Sequence, residues 1–362
     1  MPTTQTVLGQ LVDIENRTIR PAKVHIENGR ISQIEFIEQA PERWIIPGFV
    51  DAHVHIESSM LPPSRFAPLA LRHGTLATVS DPHEIGNVLG EKGVRWMVED
   101  GRKTPLCFHF GAPSCVPATV FETAGAEIDL DALRRLLEDK TCGYLAEMMN
   151  WPGVIFKDPD VLAKIALAHE IGVPVDGHAP GLRGEDAARY FAAGIETDHE
   201  CFTLEEAREK AGLGVKILIR EGSAARNFEA LVPLFREFPK QIMFCSDDKH
   251  PDDLLLGHIN QLAARAIAMG YDFFDVLYSA CVLPVRHYRL PLGLLQVGDP
   301  ADFVVVDDLD RMRVAESWRT GACVFRKGDP EWQPEPLSSL PNFHVPHFPE
   351  ASAYLPSSEA TE

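Results

Sequence analysis

The chain has 362 residues, 45% of them hydrophobic, enough for one large α/β domain and a smaller companion. A formal charge of −19 excludes the basic footprint of a general nucleic-acid binder. No apolar run approaches the ~18 residues a membrane span needs, and the start, Met-Pro-Thr-Thr-Gln-Thr, has no basic stretch leading into an apolar one, so a soluble cytoplasmic protein is expected.

Residues 6–46 read as short strands. Val7-Leu8-Gly9 is one, and Ala22–Ile26 and Arg30–Ile34 form a hairpin about Asn28-Gly29, the favoured two-residue turn. From 49 to 248 short apolar strands alternate with amphipathic helices. Strands are expected at 49–55, 75–80, 106–111, 142–147, 173–178, 195–199, 215–220 and 241–247. Helices are expected near 64–72, 85–100, 129–139, 159–171, 185–193, 204–211 and 228–238, then at 252–270 and 272–283. Strands separated by helices in this way predict a (β/α)8 TIM-type barrel. An open doubly wound sheet would want an early Gly-x-Gly-x-x-Gly, which the sequence lacks. Residues 293–306 and 312–326 read as strands again. The expected organisation is a discontinuous small β domain (1–46 and 284–328), the barrel (47–283) and a Pro/Ser-rich, loosely ordered tail (329–362).

The seven cysteines (107, 115, 142, 201, 245, 281 and 323) are widely spaced, with no Cys-x-x-Cys. They read as reduced, mostly buried thiols and not as a zinc knuckle.

Chemistry in such a barrel sits at the C-terminal ends of the strands. Residues 47–59, Pro-Gly-Phe-Val-Asp-Ala-His-Val-His-Ile-Glu-Ser-Ser, set His53 and His55 on one face of the first strand. The second ends in Asp81-Pro-His83-Glu84, the fourth in Glu147, the fifth in His178, the sixth in His199-Glu200, the seventh in Arg220-Glu221 and the eighth in Asp247-Asp248. Two histidines, a carboxylate, two more histidines and an aspartate can hold two divalent ions, and two ions sharing a hydroxide make a nucleophile at neutral pH. His53, His55 and Asp247 are expected on the first ion, His178 and His199 on the second, with Glu147 bridging. Asp247 is also expected to move the proton. The remaining histidines, His258 among them, look scattered and read as surface or satisfied core residues.

At these residues the chain resembles the bacterial adenine deaminases of the amidohydrolase superfamily. The resemblance is carried by the 47–59 motif, Asp81-Pro-His-Glu-Ile-Gly-Asn-Val-Leu-Gly90, Gly177-His-Ala-Pro-Gly181, Ala193–Glu200, Arg220-Glu-Gly-Ser223, Ser246-Asp-Asp-Lys-His-Pro-Asp-Asp-Leu254 and Gly298–Leu309. It runs from about residue 7 to about 326. It implies metal-dependent hydrolytic deamination of adenine to hypoxanthine and ammonia. It also implies two divalent ions, Mn or Fe foremost and Zn as the alternative. Carried over by position, the ligand set is His53, His55, Glu147, His178, His199 and Asp247. Arg220 and Glu84 are expected beside Asp247 and Glu147 in catalysis, and Glu57, His83, Glu200, Glu221 and Asp248 at the substrate. Families of this kind are usually homo-oligomeric, and no stretch of the sequence identifies an interface. The family's usual C-terminal domain has no counterpart among residues 328–362. Two other readings stand beside this one: an amidohydrolase acting on another amino-heterocycle or a cyclic amide, and a non-catalytic metal- or purine-binding homologue.

Overall fold

A computed structural model describes residues 4–337 apart from 120, together with 339, 340 and 342. Strands β1 (Thr4–Asp13), β2 (Thr18–Glu27), β3 (Arg30–Phe36) and β4 (Trp44–Pro47) precede the alternating region, and β13 (Phe303–Asp308), β14 (Arg313–Arg319), β15 (Ala322–Arg326) and β16 (Asp329–Pro330) follow it. Both groups lie in one sheet, in the order β16-β15-β14-β13-β4-β1-β2-β3. The hairpin turn is at Asn28-Gly29, both with positive φ (51° and 79°), as the tight primed turns require. β1 is much longer than Val7–Gly9, and β4 is an unexpected strand that joins the two halves of the sheet. It runs parallel to β1 and antiparallel to β13.

Between these groups lie eight short parallel strands. β5 (Phe49–Val54), β6 (Thr75–Ser80), β7 (Cys107–Ala112), β8 (Tyr144–Met148) and β9 (Val175–Gly177) form one sheet; β10 (Thr197–Asp198), β11 (Lys216–Arg220) and β12 (Ile242–Cys245) form another. Every residue of β5, β6, β8 and β12 is buried, as expected of parallel strands covered on both faces. The result is a mixed α/β fold with curled parallel sheets and a β-sheet built from both terminal segments. The Glu196 N–H donates to Val175 O at 3.0 Å beside the β9–β10 gap. Val54 and Asp247 form a parallel bridge where β5 meets the end of β12.

Local chemistry explains the helix boundaries. Asp158 caps Pro159–Ile171 by accepting from the amides of Asp160 and Val161, Pro159 takes the first turn, and Gly172 closes the helix at φ +80°. The stretch expected as one helix at 85–100 is two, His83–Leu89 and Glu91–Gly101, because Gly90 between them adopts φ 59°, ψ −147°. The 228–238 stretch tightens from α (Phe228–Leu231) to 3-10 (Val232–Arg236) at Pro233, which has no amide proton to give. The 252–270 stretch breaks at Gly257, giving Pro251–Leu256 and Ile259–Ala268. The 272–283 stretch passes through a π-helical turn, Tyr278–Val282, before Leu283–His287 and its Pro284.

Two apolar clusters result. The larger packs the parallel strands against their helices, and the smaller, including Val24, Ile26, Ile45, Phe303 and Trp318, belongs to the terminal sheet. No helix among the described residues is long and apolar enough to cross a membrane. All seven cysteines are free. Most of the expected tail, 329–362, lies outside the described residues, and Asp329–Pro330 at its start pairs with β15.

Candidate metal centre

The side chains that converge do so because of where their strands end. His53 is in β5 and His55 follows that strand; their Nε2 atoms approach to 3.1 Å. Glu147 is the fourth residue of β8, His178 follows β9, His199 follows β10, and Asp247 lies two residues beyond β12. His178 Nδ1 lies 2.7 Å and His199 Nε2 3.1 Å from Glu147 Oε2. On the other side His53 Nε2 is 3.9 Å from Glu147 Oε2, and His55 Nε2 is 3.7 Å from Glu147 Oε1. Asp247 Oδ1 lies 3.7 Å from His53 and 3.4 Å from His55. The His53 and His199 rings stack with centroids 4.0 Å apart. Glu147 thus stands between a His53–His55–Asp247 group and a His178–His199 group. All are buried except His178, whose side chain is 26% exposed.

Several further contacts aim these groups. His55 Nδ1 lies 3.1 Å from the Asp81 carbonyl, so its Nδ1–H donates there and Nε2 faces the cluster. The Ser114 hydroxyl donates to the Glu147 carbonyl. The His178 amide donates to the Tyr190 hydroxyl, which donates to the Met148 carbonyl. Arg220 forks onto Glu200, and its Nη1 also reaches Asp247 Oδ2 at 2.6 Å. His83 Nδ1 sits 3.1 Å from Asp81 Oδ2 and 3.5 Å from Glu147 Oε1, with Glu84 Oε1 3.4 Å from its Nε2. Glu57 accepts from the Ile85 amide, and Asp248 from the Ser58 hydroxyl.

The electrostatics follow from burial set against these partners. Burial disfavours the Glu147 carboxylate, yet the His178 and His199 hydrogen bonds hold its pKa well below the usual range. Burial likewise opposes the Asp247 charge, and the His55 hydrogen bond with the neighbouring imidazoles overrides it downward. Burial, and after it the Glu84 carboxylate, push Glu57 up to about 8.

Of the expected site residues, Glu221 is the one placed elsewhere. Its carboxylate meets Arg265 Nη1 at 2.9 Å on the helix Ile259–Ala268. Asp81, Asp51 and His258, outside the expected set, also support the centre. Asp81 joins His55, His83 and Glu147 in one group of donor atoms. Asp51 accepts from the Ser246 amide at 2.9 Å and lies 2.7 Å from His258 Nε2. Asp51 shares the period-two spacing of His53 and is findable from it; nothing local marks His258.

The donor set suits a first-row divalent ion. Four imidazoles and two carboxylates converge from five strand ends, and the bond from His55 Nδ1 to Asp81 turns its Nε2 toward the others.

A match to the amidohydrolase family covers residues 44–331. The adenine deaminase of Salinibacter ruber is 60% identical over 91% of this chain and 60% of its own length. That of Sulfurovum sp. (strain NBC37-1) is 56% identical over 92% of this chain and 63% of its own. That of Methanosarcina mazei is 52% identical over 89% and 58%. The chain thus spans about 60% of the length of these curated relatives. Among solved structures, N-acetyl-D-glucosamine-6-phosphate deacetylase from Mycobacterium smegmatis superposes with a TM-score of 0.63 at 18% identity, over 89% of this chain and 100% of that one. The beta-aspartyl dipeptidase of Fervidobacterium islandicum AW-1 gives 0.64 at 15%, over 90% and 99%.

Proposed function

The chain belongs to the amidohydrolase family, and from that premise we propose that it is a metal-dependent deaminase that hydrolyses adenine to hypoxanthine and ammonia. The observation that carries the reading is the position of Glu147, one carboxylate within 4 Å of His53, His55, His178 and His199. The relatives named adenine deaminase, 52–60% identical along most of this chain, supply the substrate.

In this reading the parallel strands are one eight-stranded barrel, supported by the Val54–Asp247 bridge and the Glu196–Val175 hydrogen bond. The barrel is assigned to 47–283, and the small β domain to 1–46 and 284–328. His53, His55 and Asp247 would hold one divalent ion and His178 and His199 a second, with Glu147 available to both; Mn or Fe is preferred and Zn is the alternative. Bound there, such ions supply Lewis acidity and lower the pKa of a water.

The chain's own residues do the rest. Asp247 presents Oδ1 toward the histidines and Oδ2 to Arg220. Its carboxylate takes the proton from the attacking water and delivers it to the exocyclic nitrogen, which leaves as ammonia. Arg220, paired with both Glu200 and Asp247, fixes the orientation of that carboxylate. His83 and Glu84 in the first turn of the helix His83–Leu89, Glu57 in the 3-10 turn Ile56–Ser59 after β5, and Asp248 after β12 offer donors and acceptors to the purine edge.

The test is ammonia release from adenine by protein reconstituted with Mn or Fe under reducing conditions. Release abolished by chelation and restored by metal is the expected result. A folded, metal-loaded protein that releases none would overturn adenine as the substrate.

A further inference from the structure

One fully buried cation beside this centre has no part in the mechanism above. Lys210 lies near the end of the helix Leu204–Gly212, and its side chain is 0% exposed. An ammonium has three protons to place. Here Nζ donates to Ala179 O at 2.6 Å, Asp198 Oδ2 at 2.9 Å and Glu206 Oε1 at 2.8 Å. Ala179 follows His178, and Asp198 precedes His199. One atom therefore ties the backbone beside one histidine to the side chain beside the other.

The same partners close the link again. The Ala179 amide donates to Asp198 Oδ1 at 3.0 Å. The Gly181 and Phe202 amides donate to the two Glu206 oxygens at 3.0 and 3.3 Å. The His53 side is braced differently, by Asp51, Ser246 and His258. Helix packing alone does not call for a charge at 210, because buried ion pairs are often replaceable by apolar residues without loss of stability. An apolar residue cannot hold the backbone of one loop and a side chain of the other at a set distance through directed bonds.

We propose that Lys210 is a positioning residue that sets the spacing of His178 and His199 and thereby the metal affinity of the half-site they form with Glu147. It touches neither substrate nor ion. The inference rests on the two-ion reading of the centre, not on the identity of the substrate.

The test is titration of the metal-free protein with Mn(II), read by calorimetry and by the free-ion paramagnetic signal. Wild type is expected to show two binding steps, and His178→Ala to remove one of them. Lys210→Met is expected to weaken that same step by roughly 10- to 100-fold, the usual loss when a ligand's support is removed, and to leave the other within about 2-fold. Equal weakening of both steps, as a general loosening of the fold would give, overturns the proposal, and so does no change in either. If Lys210→Met fails to fold, the double variant Asp198→Asn/Lys210→Met, which leaves no unpaired charge on Asp198, carries the same expectation. An unaltered His178 step there overturns the proposal. A wild type with a single step overturns the two-ion reading and this inference with it. Selective loss in a protein inactive on adenine upholds the role of Lys210 and removes only the substrate.

Discussion

The backbone amide of Asp247 donates to the carbonyl of His53 at 2.9 Å, while the Asp247 carbonyl accepts from the His55 amide at 3.1 Å. Asp247 makes both bonds at φ +53°, in the left-handed region that Asp and Asn enter more readily than other side chains. Asp247→Asn should therefore keep the backbone and most of the stability. It should lose the proton acceptor, with kcat falling by about 10²- to 10⁴-fold. Steady-state turnover beside a melting curve checks this, and a rate near wild type would remove Asp247 from the proton relay.

Behind the first histidine pair, His258 Nε2 lies 2.7 Å from Asp51 Oδ2, and its Nδ1 lies 2.8 Å from the Thr75 hydroxyl, with all three side chains buried. Asp51 also holds the amide and the hydroxyl of Ser246, the residue before Asp247. His258→Ala takes a partner from a buried carboxylate, and the expected loss is about 3 kcal/mol. Denaturant midpoints at constant slope measure it. A loss below about 1 kcal/mol would show that Asp51 is satisfied without the imidazole.

The contrast between His53 and His258 shows what the sequence makes legible. His53 and His55 advertise themselves because the strand period of two puts them on one face within an apolar run. The other strand ends stand out because parallel strands buried on both faces read as short apolar runs that stop at polar residues. His258 and Lys210 carry no such mark. Arg208-Glu209-Lys210 reads like a solvated helix face, and only the loops after β9 and β10, folding over the helix, bury the lysine. Glu221 illustrates the reverse: one residue past a strand end, its side chain turns to Arg265 on a helix distant in sequence. Helix breaks are legible only in part. Pro233 and Gly90 are visible as residues, while whether each kinks, splits or tightens its helix depends on what it packs against.

His109 yields a pH prediction away from the metal ligands. Burial lowers its pKa to about 4, its Nε2 has no hydrogen-bond partner, and its ring stacks on Tyr144. His287 is lowered to about 3, first by burial and then by Lys216 and Arg289. Unfolded, each histidine takes up a proton near pH 6.5. Folded, each stays neutral until much lower pH. The unfolded state therefore binds more protons between about pH 6.5 and pH 4. The contribution of these two histidines is level above this window and falls as pH drops through it, by up to about 1.4 kcal/mol per unit for each group. His109→Phe should reduce that slope while leaving stability at pH 8 nearly unchanged. Chemical denaturation of both proteins at pH 8, 6 and 5 checks the sign, and parallel curves would mean that His109 is protonated in the folded state.

Arg220 separates charge from geometry at the centre. Its guanidinium meets both oxygens of Glu200 and one of Asp247, and it lies 5.8 Å from the centre of the Phe202 ring. A lysine at 220 keeps the positive charge, but an ammonium cannot reproduce the planar fork that fixes two carboxylates at once. Arg220→Lys should stay folded, because neither carboxylate is left without a cation. Its kcat should nevertheless fall by about 10- to 100-fold, on the order of 1.4–2.7 kcal/mol of barrier, because the Asp247 carboxylate loses its fixed orientation. Arg220→Ala strands two buried carboxylates and should in addition lose about 3–5 kcal/mol of stability. Turnover and denaturant midpoints of the two variants measured together distinguish the effects. Lost turnover with retained stability in the lysine variant assigns Arg220 to orientation, whereas wild-type turnover there would show that a single positive charge suffices and that the fork is dispensable.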